Sequence, residues 1–134
     1  MKELILKDES YAVLGACFEV YNHLGPGFLE AVYHEALEYE FSDRGIPFVS
    51  KPRLSITFKS RVMATPYEAD FICYGEIVLE IKATHASIAR HEAQLIHYLR
   101  ATDLRLGILV NFGQYPDLYY KRFARTKGAS ATNS

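Results

Sequence analysis

A short stretch at residues 77–82, Ile-Val-Leu-Glu-Ile-Lys, limits the possible folds of this chain more than any other feature. It has the composition of a buried β-strand, yet it carries two charged residues. Side chains alternate between the two faces of a strand, so Glu80 and Lys82 share one face while Leu79 and Ile81 point to the other. Burying charged groups is costly unless they have partners. The sequence therefore predicts that another polar group faces this strand.

The predicted partner is a second apolar stretch at residues 69–73, which is separated from the first by Tyr74, Gly75 and Glu76. A three-residue loop with a left-handed glycine is a common hairpin connection. A two-residue turn would shift the register by one residue and send the two acids to different faces. The apolar pattern favours the longer loop, which predicts five pairs: Ala69–Ile81, Asp70–Glu80, Phe71–Leu79, Ile72–Val78 and Cys73–Ile77.

The predicted pairing of Asp70 with Glu80 indicates a metal site. Two adjacent carboxylates raise each other's pKa unless a cation lies between them. A hard divalent metal ion, Mg²⁺ or Mn²⁺, is the simplest such cation, and Glu30 at the start of a predicted helix is a candidate further ligand. Such a metal polarises a phosphate oxygen and lowers the pKa of its bound water. Lys82 is placed to orient that water or to neutralise charge in the transition state.

Length and composition indicate one soluble globular domain of ordinary type. The chain has 134 residues, of which 49% are hydrophobic and 23% are charged. Its net charge is −1, so it lacks the overall positive field expected of a protein that coats nucleic acid. We predict a single domain at residues 1–125 and a small, polar, disordered tail at residues 126–134. Neither a signal peptide nor a membrane-spanning segment is apparent. The sequence therefore predicts a cytoplasmic protein with no membrane partner, in which Cys17 and Cys73 are reduced core residues.

The order of predicted elements indicates an α/β fold. Apolar spacing predicts helices at residues 8–23, 28–44 and 88–101. Glycines at positions 25, 27 and 45 mark the helix ends. Period-two or continuous apolar runs predict strands at residues 48–49, 54–58, 69–73, 77–82, 106–110 and 118–123. This order is typical of an α/β sandwich in which helices flank a mixed sheet with an antiparallel meander.

Gln94 and Tyr98 lie one turn apart on the same face of the third predicted helix. That helix directly follows the strand of Lys82, so we expect it to bring both side chains to the end of that strand. Each candidate also has a plainer interpretation. Glu80 and Lys82 can form a surface ion pair, Glu30 can complement a helix dipole, and Gln94 and Tyr98 can line a helix–sheet boundary.

The histidines give no independent site. The dipeptide His91-Glu92 begins like a zinc-protease helix, but position 95 is leucine, so that motif is incomplete. His23 and His34 are predicted to be solvent or boundary residues, as is His85, although His85 is close enough to Lys82 to line a site.

Asp70, followed after a hairpin by Glu80-Ile81-Lys82, resembles the motif of the PD-(D/E)XK nuclease superfamily. Residues 27–33, Gly-Phe-Leu-Glu-Ala-Val-Tyr, resemble the signature of its small GxxExxY branch. The resemblance covers residues 8–125, with alanine at position 69 in place of the proline of the motif. It implies a restriction-endonuclease-like fold that binds Mg²⁺ or Mn²⁺. The implied metal ligands are Glu30, Asp70 and Glu80, the catalytic residues Lys82 and Gln94, and the substrate-binding residue Tyr98.

The sequence therefore predicts a metal-dependent enzyme that hydrolyses phosphodiester bonds in DNA or, as the less favoured substrate, RNA. The alternative is a catalytically silent module that keeps the fold and binds a nucleic-acid or protein partner. Ten tyrosines are typical both of base-stacking surfaces and of a homodimer interface. Two modest groups of basic residues can hold phosphates or form solvated loops: Arg44, Lys51, Arg53, Lys59 and Arg61, and Lys121, Arg122, Arg125 and Lys127.

Overall fold

The structure is a computed structural model that describes residues 5–125. It contains three helices, α1 (Lys7–Leu24), α2 (Glu30–Arg44) and α3 (Ala89–Thr102). All three were predicted, although α2 begins two residues later than expected. The helix α2 ends at Gly45, whose φ of +70° is in the left-handed region that favours glycine. The predicted disordered tail, residues 126–134, lies outside the described residues.

Residues 5–125 also contain nine strands, numbered here in chain order. They are β1 (Phe48–Ser50), β2 (Arg53–Leu54), β3 (Thr57–Phe58), β4 (Arg61–Val62), β5 (Tyr67–Glu68), β6 (Phe71–Cys73), β7 (Ile77–Lys82), β8 (Leu106–Asn111) and β9 (Tyr119–Ala124). Five of them form one sheet in the order β1-β6-β7-β8-β9. The strands β7 and β8 run parallel, and the other neighbours run antiparallel. The predicted mixed sheet with flanking helices is confirmed.

The sheet separates two apolar layers. On one face, α1 and α2 bury Val13, Tyr33 and Leu37 against Leu79 and Ile108 of the sheet. On the other face, α3 packs Leu95 and Leu99 against Val78 and Leu109. This two-sided cover explains why β8 is buried along its whole length, as its continuous apolar sequence predicted. The cysteines, Cys17 and Cys73, are free and buried in the first layer, as predicted.

The register of the β6–β7 hairpin is the predicted one. Phe71 pairs with Leu79, and the next two predicted pairs, Ile72–Val78 and Cys73–Ile77, follow it. Gly75 has a φ of +70°, so the loop needs the left-handed glycine that the sequence indicated. The ladder of paired residues stops before Asp70 and Glu80, whose side chains take over the contact between the strands.

Residues 54–58 differ from their prediction as one alternating strand. The segment is divided between β2 and β3, which pair with β5 and β4 and lie outside the five-stranded sheet. Leu54 and Ile56 pack partly against the second apolar layer, while Phe58 is 58% exposed. Alternation therefore identified the covered side of the segment correctly as far as Ile56, although residues 55 and 56 lie between β2 and β3 and belong to neither strand. It gave no sign that the segment pairs with its own returning chain.

The end of β8 fixes the chain that leaves β7. Asn111 is fully buried, and its Oδ1 accepts hydrogen bonds from the N–H groups of Thr84 at 3.1 Å and Gly113 at 2.9 Å. Its Nδ2 donates to the Thr84 carbonyl at 3.0 Å. The Phe112 N–H donates to the Lys82 carbonyl at 2.7 Å. These bonds hold the backbone of Lys82 and the two residues that follow it.

Within residues 5–125, no helix is long and apolar enough to cross a membrane.

We predict that Gly113→Ala lowers the free energy of unfolding by about 1–3 kcal/mol, the usual cost of overpacking. A Cβ at position 113 would lie 2.4 Å from the backbone nitrogen and oxygen of Thr84, so one of the two segments must move. Urea unfolding measures the change. Gly107→Ala is the control, because its Cβ would meet only the side chains of Leu95 and Leu99, at 3.1 Å. A smaller loss for Gly113→Ala than for Gly107→Ala would contradict the prediction.

Candidate active site

A cleft of about 310 Å³ opens where β6 begins and β7 ends. The six candidate residues that the sequence singled out all line it: Glu30, Asp70, Glu80, Lys82, Gln94 and Tyr98. The remaining lining residues are Pro66, Tyr67 and Glu68. The structure therefore brings the candidate residues together from α2, β7, α3 and the residue before β6, while their chemical roles stay predictions.

Asp70 and Glu80 are joined by two reciprocal contacts. The Asp70 N–H donates to Glu80 Oε1 at 3.0 Å, and the Ile81 N–H donates to Asp70 Oδ2 at 2.8 Å. Each carboxylate thus accepts a hydrogen bond from the backbone of the opposite strand, in the place where the strand ladder would have continued. The predicted meeting of the two acids occurs, and the backbone holds both in fixed positions.

Tyr67 is a site residue that the sequence analysis missed. Its hydroxyl donates to Glu80 Oε2, and its ring stacks on Tyr98 with 3.5 Å between ring centroids. The Gln94 Nε2 donates to the Tyr98 hydroxyl at 2.9 Å, which links α3 to the carboxylates through the two rings. Tyr67 lies three residues before Asp70, so simple strand alternation places the two on opposite faces. The interrupted ladder at Asp70 is what brings them to the same cleft.

The burial of Glu80 between the strands changes the pKa of its carboxyl. Burial raises the pKa of Glu80 to about 8; the hydrogen bond from Tyr67 opposes the rise, and the Asp70 carboxyl adds to it. The same burial, together with the nearby Glu80 carboxylate, raises the pKa of the Tyr67 hydroxyl. Burial and the neighbouring Asp70 carboxyl therefore both favour the protonated form of Glu80 in the metal-free protein. A cation bound between Asp70 and Glu80 would stabilise both carboxylates in their ionised forms.

Glu30 and Lys82 face the pair across the cleft. Partial burial raises the pKa of Glu30, the Lys82 ammonium lowers it, and the Asp70 carboxylate raises it. The Lys82 charge also helps to lower the pKa of His91 on α3, after the larger effect of burial. Within residues 5–125, Lys82 makes no direct ion pair, so its ammonium is available to a bound anion. His85, by contrast, is exposed and does not line the cleft.

Tyr33 holds the loop that leads to Glu30. Its hydroxyl donates to the Gly25 carbonyl at 2.5 Å and accepts a hydrogen bond from the Phe28 N–H at 3.2 Å. Its ring is fully buried and stacks on Phe112 at 4.4 Å. Tyr33, the last residue of the Gly-x-x-Glu-x-x-Tyr pattern, thus fixes the loop that precedes α2, the helix that begins with Glu30.

His34 is not the boundary residue that the sequence predicted. Only 7% of it is exposed; its ring stacks on Phe71 at 4.2 Å, and its Nδ1 lies 3.5 Å from Asp70 Oδ1. Its Nε2 lies 2.8 Å from the Ser50 hydroxyl, which donates to Glu38 at 2.6 Å. Because a hydroxyl has one proton, Ser50 accepts from His34. The signal available in the sequence was the four-residue spacing from Glu30, which puts both side chains on one helix face.

The donors suit a hard, partly hydrated cation. Across residues 5–125, no three His, Cys, Asp or Glu side chains lie close enough together to hold a metal ion by themselves, so Glu30 does not form a three-residue group with Asp70 and Glu80. Magnesium does not need such a group, because it keeps several waters and takes one or two carboxylates. Asp70 and Glu80 supply these, each carboxylate oxygen keeps a second lone pair, and Glu30 lines the same cleft. The residues that line this cleft do not suit a zinc site with four cysteine and histidine ligands.

Comparison with known proteins is consistent with this geometry. A sequence model of the PD-(D/E)XK nuclease superfamily matches residues 7–123. Among solved structures, the crystal structure of SSO0001 superposes with a TM-score of 0.55 at 20% sequence identity, which shows similarity of fold alone. The match covers 76% of this chain and 54% of that protein, so this chain spans about half of its length. No curated protein matches the chain.

We predict that Glu80→Gln makes the protein more stable at pH 9, relative to wild type, than at pH 4. The folded pKa of about 8 lies above the unfolded value near 4.3. The unfolded chain therefore loses its proton first, and stability falls as pH rises between these values. Each unit of pKa difference corresponds to about 1.4 kcal/mol, and the glutamine variant avoids this loss.

Urea unfolding of both proteins at the two pH values measures this effect. Glu68→Gln is the matched control, because it removes an exposed carboxylate from the same cleft. An equal stability difference between Glu80→Gln and wild type at pH 4 and pH 9 would contradict the prediction.

We also predict that Tyr33→Phe loosens the loop before Glu30. The variant keeps the stacked ring but loses both hydroxyl contacts, which we expect to cost about 1–3 kcal/mol of unfolding free energy. Amide hydrogen exchange at Phe28 should become faster. Tyr21→Phe, which removes the hydrogen bond to the Gln114 carbonyl, is the control and should leave exchange at Phe28 unchanged. Unchanged exchange in Tyr33→Phe would show that the hydroxyl does not hold the loop.

Proposed function

Because this chain belongs to the PD-(D/E)XK nuclease superfamily, we propose that it hydrolyses phosphodiester bonds in nucleic acid, in the first place DNA, with Mg²⁺ or Mn²⁺ as cofactor. The observation that carries the proposal is the reciprocal hydrogen bonding of Asp70 and Glu80 in a cleft that also contains Lys82. We also propose that the chain belongs to the GxxExxY branch. The sequence at residues 27–33 and the loop contacts of Tyr33 support this finer assignment.

Asp70 and Glu80 would hold the metal, with Glu30 as a further ligand directly or through water. When bound, the metal would polarise a phosphate oxygen and lower the pKa of a bound water. The chain supplies the orientation. Asp70 is fixed by the Ile81 N–H, and Glu80 by the Asp70 N–H and the Tyr67 hydroxyl. Donors that are already in place need little rearrangement when the substrate arrives.

Lys82 is the proposed catalytic base or charge stabiliser. Its ammonium is electrostatically coupled to Glu30, and its backbone is fixed by the hydrogen bond from Phe112. A cation held beside the acids can stabilise the negative charge that develops on a phosphate. Gln94 and Tyr98 form a hydrogen-bonded pair at the mouth of the cleft. Because the Tyr98 ring is stacked on Tyr67, we propose that Tyr98 contacts substrate through its hydroxyl and that Gln94 orients it.

The alternative is a catalytically silent module that binds a nucleic-acid or protein partner. The net charge of −1 and the small number of converging ligands favour it. An arginine or lysine that replaces the metal would support it further, but the cleft lining contains a single basic residue, Lys82, beside four acids, Glu30, Glu68, Asp70 and Glu80. This charge balance favours the hydrolytic function. The cytoplasmic location and the homodimer remain predictions.

The test is a cleavage assay on DNA and RNA with Mg²⁺ or Mn²⁺. We predict that Asp70→Asn and Lys82→Ala each reduce cleavage by at least about 10²-fold, the loss typical of a group that stabilises the transition state. Thermal unfolding should show that both variants stay folded. Arg105→Ala is the control, because Arg105 pairs with Glu76 at the other end of β7. Wild-type protein that cleaves neither substrate, or site variants that cleave as fast as wild type, would contradict the proposal.

A further inference from the structure

Residues 51–69 form one long hairpin, which we call the arm, that begins at the candidate site. The Lys51 N–H donates to the Asp70 carbonyl at 2.8 Å, and the Ala69 N–H donates to the Pro52 carbonyl at 3.1 Å. The β2–β5 and β3–β4 ladders continue the pairing outwards, linked by a hydrogen bond from the Met63 N–H to the Ile56 carbonyl at 2.8 Å. The arm is therefore a direct extension of the strands that flank Asp70.

The base of the arm is anchored and its tip is free. Leu54 and Ile56 pack against the apolar layer beneath α3, and Tyr67 is bonded to Glu80. Residues 57–65 are all exposed. Lys59 and Ser60 form the turn at the tip, both with positive φ. A two-stranded ribbon with exposed side chains on both faces thus projects from a fixed point beside the cleft.

The arm concentrates positive charge on a protein whose net charge is −1. It carries four basic residues, Lys51, Arg53, Lys59 and Arg61, and one acidic residue, Glu68. In the described part of the chain, none of these four basic side chains is engaged in an ion pair. Three apolar side chains near the tip are also exposed, Phe58 at 58%, Val62 at 69% and Met63 at 45%. Lys59 Nζ lies over the Phe58 ring, 5.5 Å from its centroid, and both side chains remain exposed. The packing of residues 5–125 therefore does not account for the exposure of these basic and apolar side chains.

We propose that the arm lies in the major groove of B-form DNA whose phosphodiester occupies the cleft. This inference rests on the proposed function and names its substrate as duplex DNA. The major groove of B-DNA admits a two-stranded ribbon. The major groove of A-form RNA is too narrow and deep for side chains to read. The same arm therefore selects DNA over duplex RNA.

The length of the arm fits this placement. Eight residues separate Lys51, beside Asp70, from Lys59 at the tip, and they span at most roughly 26 Å. One turn of B-DNA is about 34 Å. The tip therefore reaches the same duplex within one turn of the cleft. There Lys59 and Arg61 contact phosphates, while Phe58, which lies on the same face of the ribbon as its cross-strand partner Arg61, meets apolar base edges such as the thymine methyl group.

The test compares binding of a labelled DNA duplex of about 30 base pairs, three helical turns, with an RNA duplex of the same sequence. Fluorescence anisotropy is measured over a range of salt concentrations, in EDTA to prevent metal-dependent cleavage. Lys59→Ala/Arg61→Ala is the arm variant. Lys7→Ala/Arg105→Ala is the matched control, since it also removes two exposed basic residues, one at the start of α1 and one at the opposite end of β7.

We expect the arm variant to bind DNA at least about 10-fold more weakly and to reduce the salt slope by roughly 2, since each phosphate contact contributes about 0.9. The control should match wild type in both quantities. A second variant replaces residues 57–62 with Asn-Gly, which suits the two-residue turn that the Ile56–Met63 hydrogen bond would then close. It keeps the base of the arm and should lose the preference for DNA over RNA.

Loss of binding to the same extent in both double variants would overturn the arm proposal, as would equal wild-type affinity for the two duplexes. The proposed function is tested separately by Asp70→Asn, which leaves the arm intact. Cleavage by wild type with unchanged binding in the arm variants would mean that only the arm proposal is wrong. Arm-dependent DNA binding without cleavage would contradict only the proposed function. No binding of either duplex by wild type would overturn the arm.

Discussion

Two hydrogen bonds between the start of β6 and the end of β7 determine how the acids of the candidate active site are arranged. They let the Asp70 and Glu80 carboxyls replace the backbone ladder at the point where the two strands separate. The apolar pairs on the rest of the hairpin fix the register, so the acids meet because Phe71 and Leu79 must both face the core. The hydrophobic core therefore stabilises a pair of acids that would otherwise repel each other.

Three further contacts hold the groups around this pair, and each uses a residue that is distant in sequence. Asn111 at the end of β8 fixes the chain after Lys82. Tyr33 ties down the loop before Glu30. The stacking of Tyr67 on Tyr98 joins the base of the arm to α3. Hydrogen bonds and ring stacking thus hold the cleft on its strand and helix sides, while the tip of the arm remains exposed.

Most of the fold could be predicted from the sequence because its signals are local. Apolar alternation gave the hairpin register, and glycines gave the ends of α1 and α2. The parts that could not be predicted depend on contacts between segments. Tyr67 reaches the cleft because a ladder is interrupted, and His34 is buried because Phe71 lies beside it. Residues 54–58 of the arm were predicted as an ordinary strand because alternation indicates a covered face without identifying what covers it.

A divalent metal ion held by Asp70 and Glu80 should be detectable by calorimetric titration of Mn²⁺ into the metal-free protein. We expect binding by wild type that is abolished in Asp70→Asn and retained in Glu68→Gln, which removes an exposed carboxylate from the same cleft. Binding that is unaffected by Asp70→Asn, or no binding by wild type at millimolar Mn²⁺, would show that these two acids do not form a metal site.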